Sequence, residues 1–326
     1  MAEEAKKAEL SIEEVLASTS IADVYQAAKQ LDGVAAKTHL IESPYFSDLC
    51  GNNVYLKPEN LQNTGSFKLR GAYNKISQLN EDERKRGVIT ASAGNHAQGV
   101  AFAARALNCK AVICMPATTP ILKVEATRAY GAEVVLYGDS FDDAYAKSLE
   151  LQKKKGYVYI HPFNDQKVLA GQGTTALEII DELKDLDAIL VPIGGGGFAS
   201  GVALATKAVN PNVKVIGVEP EGAPCMEKSF MEGHITTLSA VDTVADGCAV
   251  KTPGDLTYAF CKKYLDQIIT VSEMEIMSAL LSLIEKHKLI AEGAGALSLA
   301  ALNKLPFKGK KVAAIISGGN IDISTI

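Results

Sequence analysis

The sequence predicts an α/β fold with two parallel sheets flanked by helices. Short, continuously apolar runs alternate with helical segments along most of the chain, and such runs are typical of parallel strands that helices cover on both faces. The runs fall into two series, which predicts two sheets. The first series is GVITAS, AVICMP, AEVVLYG and YVYIHP (87–162), and the second is DAILVPI, KVIGVEPE, QIITVS and KVAAIIS (187–317).

The domain organisation follows from the breaks between these series. The chain has 326 residues, a length that suggests about two domains. The chain is predicted to pass between the two domains at the polar stretch QLNEDERKRG (78–87) and at the loop FNDQK (163–167). We therefore expect a small α/β domain at 80–164, inserted into a large domain formed by 1–79 and 165–326.

Composition excludes several classes of partner. The net charge is −5, which leaves no broad basic surface for a nucleic acid. No apolar run reaches the ~18 residues of a membrane helix, and the amino-terminal segment lacks the apolar core of a signal peptide. The six cysteines include no C-x-x-C pair and suit a reducing compartment. We expect a soluble, cytoplasmic protein with no nucleic-acid and no membrane partner.

The segment TGSFKLRGA (64–72) places two cations at the start of a predicted helix. Apolar residues recur there at helical spacing: Leu69, Ala72, Tyr73, Ile76 and Leu79. Ser66 is the predicted N-cap. A helix start carries partial positive charge, so Lys68 and Arg70 are each disfavoured by about 0.3–1 kcal/mol if exposed. The same penalty lowers the pKa of Lys68, and a deprotonated amine can attack an aldehyde.

A run of four glycines is the strongest single feature of the sequence. In ILVPIGGGGFASG (189–201), the glycines Gly194–Gly197 join a buried strand to a helix. Glycine lets the backbone approach a ligand closely, and N–H groups at a helix start bind phosphate. Four glycines cost conformational entropy that a structural turn would not require, so the loop predicts phosphate binding.

The same loop leaves a nicotinamide-dependent dehydrogenase as an alternative. Gly194, Gly196 and Ala199 match G-x-G-x-x-[GA], and Glu219 ends the next strand, where a ribose-binding acid would lie. The match is weak because any glycine quartet satisfies most of it. It also leaves Lys68 unexplained.

A second loop, in TASAGNHAQGV (90–100), suits a carboxylate. Ser92 and Asn95 supply side-chain donors beside free backbone N–H groups at a helix start, although a simple N-cap would look the same. His96 alone is more typical of a packed residue than of a base, since no Asp or Ser accompanies it at triad-like spacing. A phosphate loop, a carboxylate loop and Lys68 together predict pyridoxal phosphate (PLP) bound as a Schiff base to Lys68.

At these residues the chain resembles the threonine/serine dehydratase (ammonia-lyase) family of fold-type II PLP enzymes, whose two-domain fold is tryptophan synthase β-like. The resemblance runs from about residue 20 to the end. Seven motifs carry it: GSFKLRGA (65–72), SAGNHAQGV (92–100), GQGT (171–174), PIGGGGFASG (192–201), ADGC (245–248), EGAGA (292–296) and SGGN (317–320). It implies elimination of water from L-threonine or L-serine, giving 2-oxobutanoate or pyruvate and ammonia.

The resemblance also implies which residues contact the cofactor. Lys68 would carry the Schiff base, Phe67 would pack near the cofactor ring, and Asn95 would hydrogen-bond the phenolic oxygen. Ser317 would meet the pyridine nitrogen. The phosphate would lie against four residues: Gly194, Gly195, Gly196 and Gly197.

The substrate contacts are implied in the same way. Five consecutive residues would cradle the substrate carboxylate: Ser92, Ala93, Gly94, Asn95 and His96. Gly247 and Glu292 lie in motifs that line the pocket. Once the substrate amine displaces Lys68, this lysine is the expected base for the α-proton. Ser317 carries no charge to stabilise a pyridinium, which suits elimination more than transamination.

Related activities remain alternatives. Serine racemases of this fold carry a hydroxyl where this chain has Ala93, and a methyl group cannot transfer a proton, so we expect dehydration over racemisation. A β-replacement enzyme and a non-catalytic amino-acid sensor are further alternatives. The racemase-like branch has a cation site that Glu219 and Ala223 fit, but Cys225 replaces the expected acid. No metal is therefore assigned.

Assembly and regulation are expected by analogy with the family. A homodimer or homotetramer is usual, with an amino acid as the small-molecule substrate. The sequence ends six residues after Asn320. It resembles the short, catabolic type, in which a nucleotide effector acts at a subunit interface, or a piece of a longer enzyme.

Overall fold

The computed structural model describes residues 12–321. Helices α1 to α14 span Ile12–Ala17, Ile21–Leu31, Pro44–Cys50, Lys68–Ser77, Glu81–Arg86, Asn95–Ala106, Ile121–Ala129, Phe141–Lys155, Gln166–Glu182, Gly197–Val209, Cys225–Glu232, Asp255–Tyr264, Glu273–Ser282 and Gly293–Ala300. Strands β1 to β10 span Ile41–Glu42, Asn53–Pro58, Val88–Ala91, Ala111–Met115, Glu133–Leu136, Val158–Tyr159, Ala188–Pro192, Lys214–Pro220, Gln267–Val271 and Lys311–Ile316.

The strands form two sheets, as their apolar runs predicted. One sheet has the order β1-β2-β10-β7-β8-β9, and the other has the order β5-β4-β3-β6. Every neighbouring pair is parallel except β1 and β2, which pair antiparallel through Ile41 and Leu56. The α/β class and the parallel sheets are confirmed, with the correction that one edge strand is antiparallel. This two-residue strand is too short to give an alternating pattern in the sequence.

The two sheets draw on different parts of the chain. The strands of the four-stranded sheet all lie between Val88 and Tyr159. The domain boundaries at 80–164, and at 1–79 with 165–326, stay a prediction. Residues 1–11 and 322–326 of the predicted large domain lie outside the described residues.

Helix α4 lies between the cores of the two sheets. Phe67, just before the helix, belongs to the apolar cluster of the larger sheet. Ala72 and Ile76, further along the helix, and Leu79, just after it, pack in the cluster of the smaller sheet with Val88. The first turn of α4 is therefore fixed where both sheets meet.

The carboxyl ends of adjacent strands bring the sequence motifs together. Strand β10 lies between β2 and β7 and runs parallel to both. Ser317 therefore follows β10 beside the glycine loop that follows β7. Loops at the carboxyl ends of parallel strands are the usual ligand site in sheets of this kind.

The start of α4 differs from the prediction in one detail. The helix begins at Lys68, and Phe67 occupies the N-cap position without a side-chain cap. Ser66 is not the N-cap, because its backbone pairs with Gly318 in an isolated antiparallel bridge. The Ser66 hydroxyl is buried and has no hydrogen-bond partner among the described residues.

Candidate active site

Lys68 is the first residue of α4, and its amine has no carboxylate partner among the described residues. Within residues 12–321, the Nζ atom donates one hydrogen bond, to the Pro162 carbonyl oxygen at 2.8 Å, and takes part in no ion pair. Burial among protein atoms lowers the pKa of Lys68 to about 8, and the nearby Cys248 and Glu292 only partly oppose this effect. A larger share of this amine is therefore neutral near pH 7 than for an ordinary lysine.

Arg70, in the same turn, has the opposite environment. Its side chain is fully buried, and its Nε atom donates to Glu59 at 2.8 Å, while Nη1 donates to Glu178 at 2.6 Å. Lys57 also donates to Glu178, at 2.6 Å. The predicted penalty for a cation at this helix start is therefore offset for Arg70 and remains for Lys68.

The carboxylate loop connects β3 to α6 and borders open space. The Gly94 N–H donates to the Ser92 hydroxyl oxygen at 3.3 Å. Asn95 is the first residue of α6; its Nδ2 donates to Glu292, and its Oδ1 accepts from Asn320 at 2.7 Å. A Cβ atom added at Gly94 would meet no atom within 4 Å. The side chains around Asn95 are therefore held while the backbone at Gly94 stays accessible.

His96 and Ala93 belong to the same loop but face the interior more. The His96 ring is buried, and its Nε2 atom lies 2.9 Å from the Ile160 carbonyl oxygen. Burial, with a smaller contribution from Lys68, lowers the pKa of His96 to about 3, so the ring is neutral and Nε2–H donates. Ala93 packs against the cluster of the smaller sheet. This geometry fits a packed histidine better than a catalytic base.

The glycine loop has the geometry of an anion site. The N–H groups of Gly194, Gly195 and Gly196 donate to no other residue in the described part of the chain. Gly196 has a φ of 92°, in the left-handed region that favours glycine. A Cβ atom at Gly195 would lie 2.3 Å from the Phe163 ring. Free N–H donors in a loop that only glycine fits match what a phosphate group needs.

The remaining predicted residues lie around Glu292. The Ser317 hydroxyl is buried and donates to the Ala294 carbonyl oxygen at 3.2 Å. A Cβ atom at Gly247 would lie 3.7 Å from the Glu292 Oε1 atom, so Gly247 lies beside that carboxyl. Burial raises the pKa of Glu292 to about 7, despite the hydrogen bond from Asn95. The group therefore exchanges a proton near physiological pH.

Phe67 and Gly197 lie on the same side of the site. The Phe67 ring stacks on the Phe198 ring with centroids 3.8 Å apart and planes 6° from parallel. A Cβ atom at Gly197 would lie 2.7 Å from the Phe163 carbonyl oxygen. These contacts connect the Lys68 helix start to the end of the glycine loop.

Sequence reasoning missed residues that the fold brings to Lys68 and Arg70. Pro162 contributes only a backbone carbonyl, Glu59 lies 11 residues before Arg70, and Glu178 lies 108 residues after it. None of these has a local motif. Asn320 lies in the quoted SGGN motif, but its partner Asn95 could not be identified without the fold.

The geometry disfavours the dehydrogenase alternative. The Glu219 carboxyl group is buried and accepts the backbone N–H groups of Met226 and Glu227, each at 2.8 Å. Its oxygens therefore serve the start of α11 and not a ribose. The described residues contain no group of three or more His, Cys, Asp or Glu that could hold a metal ion. Within the same residues, no helix is long and apolar enough to span a bilayer.

The fold and the site define a class, and comparison with known proteins assigns the chain to it. A family model described as pyridoxal-phosphate dependent enzyme matches residues 31–318. The chain belongs to this family, and its sheets have the fold-type II arrangement. The free N–H groups of the glycine loop and the low-pKa amine of Lys68 fit PLP as the cofactor.

Individual relatives are similar over nearly the whole chain. An L-threonine ammonia-lyase of Thermotoga maritima is 53% identical over 94% of this chain and 77% of the relative. L-threonine dehydratase catabolic TdcB of Escherichia coli is 47% identical over 94% of both chains. The solved structure of maize serine racemase has a TM-score of 0.91 and 35% identity, covering 94% of this chain and 95% of that one.

Proposed function

We propose that this protein is a PLP-dependent L-threonine/L-serine dehydratase, which eliminates water and releases ammonia. The observation that carries the proposal is the isolated amine of Lys68, with a pKa of about 8, beside a carboxylate loop and an anion loop. The names of the relatives from Thermotoga maritima and Escherichia coli support threonine as a substrate. Serine differs from threonine by one methyl group, which rarely excludes a substrate completely.

The predicted cofactor contacts are proposed on the same basis. Bound PLP would withdraw electrons from the substrate and so acidify its Cα–H bond. Lys68 would hold it covalently, Asn95 and Ser317 would contact its ring, and Phe67 would border it. The four glycines Gly194–Gly197 would hold its phosphate.

Lys68 is also the proposed carrier of the α-proton. A neutral amine at Nζ can accept a proton from Cα, and the low pKa keeps part of it neutral. The Pro162 carbonyl oxygen accepts from Nζ in either protonation state, so it can hold the side chain near the substrate. Loss of the β-hydroxyl as water then gives an enamine, which hydrolyses to a 2-oxo acid and ammonia.

The carboxylate loop is proposed to orient the substrate. Ser92 and Asn95 offer side-chain donors, and the backbone at Gly94 borders open space. His96 would act through its backbone N–H, because its ring is committed to Ile160. Ala93 offers no proton to the face of the substrate opposite Lys68.

A product assay tests the proposal. Purified protein saturated with PLP should release ammonia and a 2-oxo acid in equal amounts from L-threonine and from L-serine. Borohydride reduction should fix a pyridoxyl group on the peptide that contains Lys68. A sensor would bind threonine without releasing ammonia, and a β-replacement enzyme would consume added sulfide. Either result, or labelling of another lysine, would contradict the proposal.

Serine racemase is the second candidate, because the fold of the maize enzyme is so similar. Ala93 argues against it. The same assay should detect little D-serine from L-serine. D-Serine formation comparable to pyruvate formation would overturn the preference for dehydration.

The proposal extends to assembly, regulation and location. We infer a homodimer or homotetramer that responds to a nucleotide, by analogy with the dehydratase family that the chain resembles. Light scattering with and without adenine nucleotides tests both points. The cysteines are all free and buried among the described residues, which supports a reducing, cytoplasmic setting. The domain boundaries at 80–164 are proposed too, and limited proteolysis near 78–87 would test them.

A further inference from the structure

Three side chains hold three consecutive carbonyl groups of the glycine loop. The Cys225 thiol donates to Gly194 at 3.6 Å, the Thr257 hydroxyl donates to Gly195 at 2.6 Å, and the Cys261 thiol donates to Gly196 at 3.8 Å. We call Cys225, Thr257 and Cys261 the carbonyl clamp. All three side chains are fully buried.

The fold explains how one donor reaches each carbonyl. Thr257 and Cys261 are four residues apart on α12 and so lie on the same face of that helix. Ser200 of α10 donates to the Thr257 carbonyl oxygen at 3.1 Å, which ties the two helices together next to the loop. Cys225 is the first residue of α11 and approaches from the other side.

The three donors differ in strength. Burial raises the pKa of Cys261 to about 12 and that of Cys225 far above its ordinary value, so both thiols keep their protons. A thiol is a weak donor, and both sulfur distances are long. Each thiol also has a second partner: the Glu219 side chain for Cys225, and the Ser200 hydroxyl, at 3.4 Å, for Cys261. The hydroxyl of Thr257, at 2.6 Å, is therefore the main contact of the clamp.

Peptide geometry connects the clamp to the anion site. In a planar trans peptide, the C=O of one residue and the N–H of the next point in opposite directions. Holding the carbonyls of Gly194–Gly196 therefore directs the N–H groups of Gly195–Gly197 the other way. The N–H groups of Gly195 and Gly196 have no partner within residues 12–321, so they are directed and available.

We propose that the carbonyl clamp is a positioning device that presents the N–H groups of the glycine loop to the cofactor phosphate, with Thr257 as its principal residue. This inference rests on the proposed function, in which that loop holds the phosphate. The clamp residues do not contact the reacting atoms in this scheme. They act on cofactor affinity through the loop.

A comparison of two ligands isolates the phosphate contact. The full-length chain, freed of cofactor, is titrated with PLP and with pyridoxal, which lacks the phosphate. Thr257→Val should weaken PLP binding about tenfold, because it leaves the Gly195 carbonyl without its donor. Pyridoxal binding should change by less than about twofold. Cys261→Ala should give a smaller loss of PLP affinity, about threefold, in keeping with a weak thiol donor.

Matched variants separate positioning from packing. Thr257→Ser keeps the hydroxyl and should restore PLP affinity. Thr206→Val removes a buried hydroxyl that donates to Val202 within α10, at 2.7 Å, and should leave the ratio of the two affinities unchanged. Thr257 also accepts the Gly254 N–H at 3.0 Å, so Thr257→Val removes a second contact and its folding is checked by circular dichroism. If the valine variant is unfolded, Thr257→Ala replaces it.

The outcomes are distinguishable. If Thr257→Val weakens the binding of PLP and of pyridoxal equally, or weakens neither, the clamp proposal is overturned. If the wild-type chain binds both ligands equally, the phosphate assignment in the proposed function fails, and the clamp fails with it. If Thr257→Val lowers the ratio of PLP affinity to pyridoxal affinity, and Thr257→Ser restores that ratio, the result supports both the clamp and the phosphate assignment.

Discussion

Lys68 and Arg70 carry the same charge in the same helical turn, but their surroundings differ in every respect that matters for chemistry. Arg70 is enclosed by Glu59 and Glu178, which satisfy its guanidinium. Lys68 has one backbone carbonyl and no carboxylate partner in the described chain. Partners make a buried cation structural, whereas their absence lowers a pKa and makes an amine reactive.

The difference follows from the geometry of the two groups. A guanidinium donates in a fixed planar fork that matches carboxylates, and it stays charged when buried. A buried lysine loses its proton more readily and so becomes a nucleophile or base. One turn of α4 thus contains a cation held by two carboxylates and an amine with a lowered pKa, which we propose as the site of covalent attachment.

Removal of the amine should have the largest effect on activity. Lys68→Ala should lower turnover at least ~10³-fold, because both the covalent attachment and the proton carrier are lost. The free energy of unfolding of the cofactor-free chain should not fall, since Lys68 forms no ion pair with the residues that the structure describes. Steady-state assays and urea unfolding measure the two quantities. Substantial residual turnover would mean that another group is the nucleophile.

Removal of the guanidinium should have the largest effect on stability. Arg70→Met should lower the free energy of unfolding by about 3–5 kcal/mol, because it leaves the buried Glu59 carboxylate without its charge partner. Urea unfolding measures the loss. The double variant Arg70→Met/Glu59→Gln should recover part of it, because the orphaned charge is gone.

An exposed ion pair provides the control for Arg70. Lys85 and Glu81 are 2.7 Å apart with 68% and 82% of their side chains exposed. Lys85→Met should cost less than about 1 kcal/mol. A similar cost for Lys85→Met and Arg70→Met would show that burial does not distinguish the two sites.

The pKa of Lys68 predicts a specific pH dependence. Its folded value is about 8 and its ordinary value is 10.5, so between these values the unfolded chain binds a proton that the folded chain does not. The stability of the cofactor-free wild type should therefore rise with pH in this window, relative to Lys68→Met. Below pH 8 both states are protonated and the methionine variant should be more stable by about 3 kcal/mol.

Urea unfolding of both chains from pH 7 to 10.5 measures this relative change, because groups common to both chains cancel in the difference. A stability difference that stays constant across the window would mean that the pKa of Lys68 is close to its ordinary value. The contrast with Arg70 would then lose its electrostatic basis.

The smallest expected effect tests whether Lys68 is the sole proton carrier at Cα. Ala93→Ser would add a hydroxyl to the carboxylate loop and should raise D-serine formation from L-serine several-fold, while dehydration remains the main reaction. Chiral chromatography of the product measures this. Ala93→Gly, which adds no proton donor, is the control. An unchanged D-serine yield would indicate that another group serves the face opposite Lys68.

Much of the fold was predictable because local sequence patterns indicate its strands and helices. The apolar runs located the strands, and helical spacing located α4, because side-chain periodicity depends only on local geometry. The polar stretch at 78–87 was predicted to connect the two domains. It contains the short helix α5, at whose start Asn80 and Glu83 form a capping box. Its charged residues gave no apolar stripe from which a helix could be predicted.

The site was predictable only in part. The glycine quartet and Lys68 could be proposed as site residues, because a run of glycines and a lysine at a helix start are both visible in the local sequence. The N-cap at Ser66 was wrong, because a long-range bridge to Gly318 directs that backbone elsewhere. The sequence could not predict the contacts that Cys225, Thr257 and Cys261 make with the glycine loop, because their acceptors are backbone carbonyls.

By itself, the sequence determined the strand and helix order, the run of glycines that we propose holds a phosphate, and the presence of two cations at one helix start. Only the tertiary structure decided which cation is neutralised, because Glu59 and Glu178 reach Arg70 across the fold and leave Lys68 with a carbonyl. Local geometry depends on neighbouring residues. A pKa depends on whatever lies within a few ångströms, which folding alone determines.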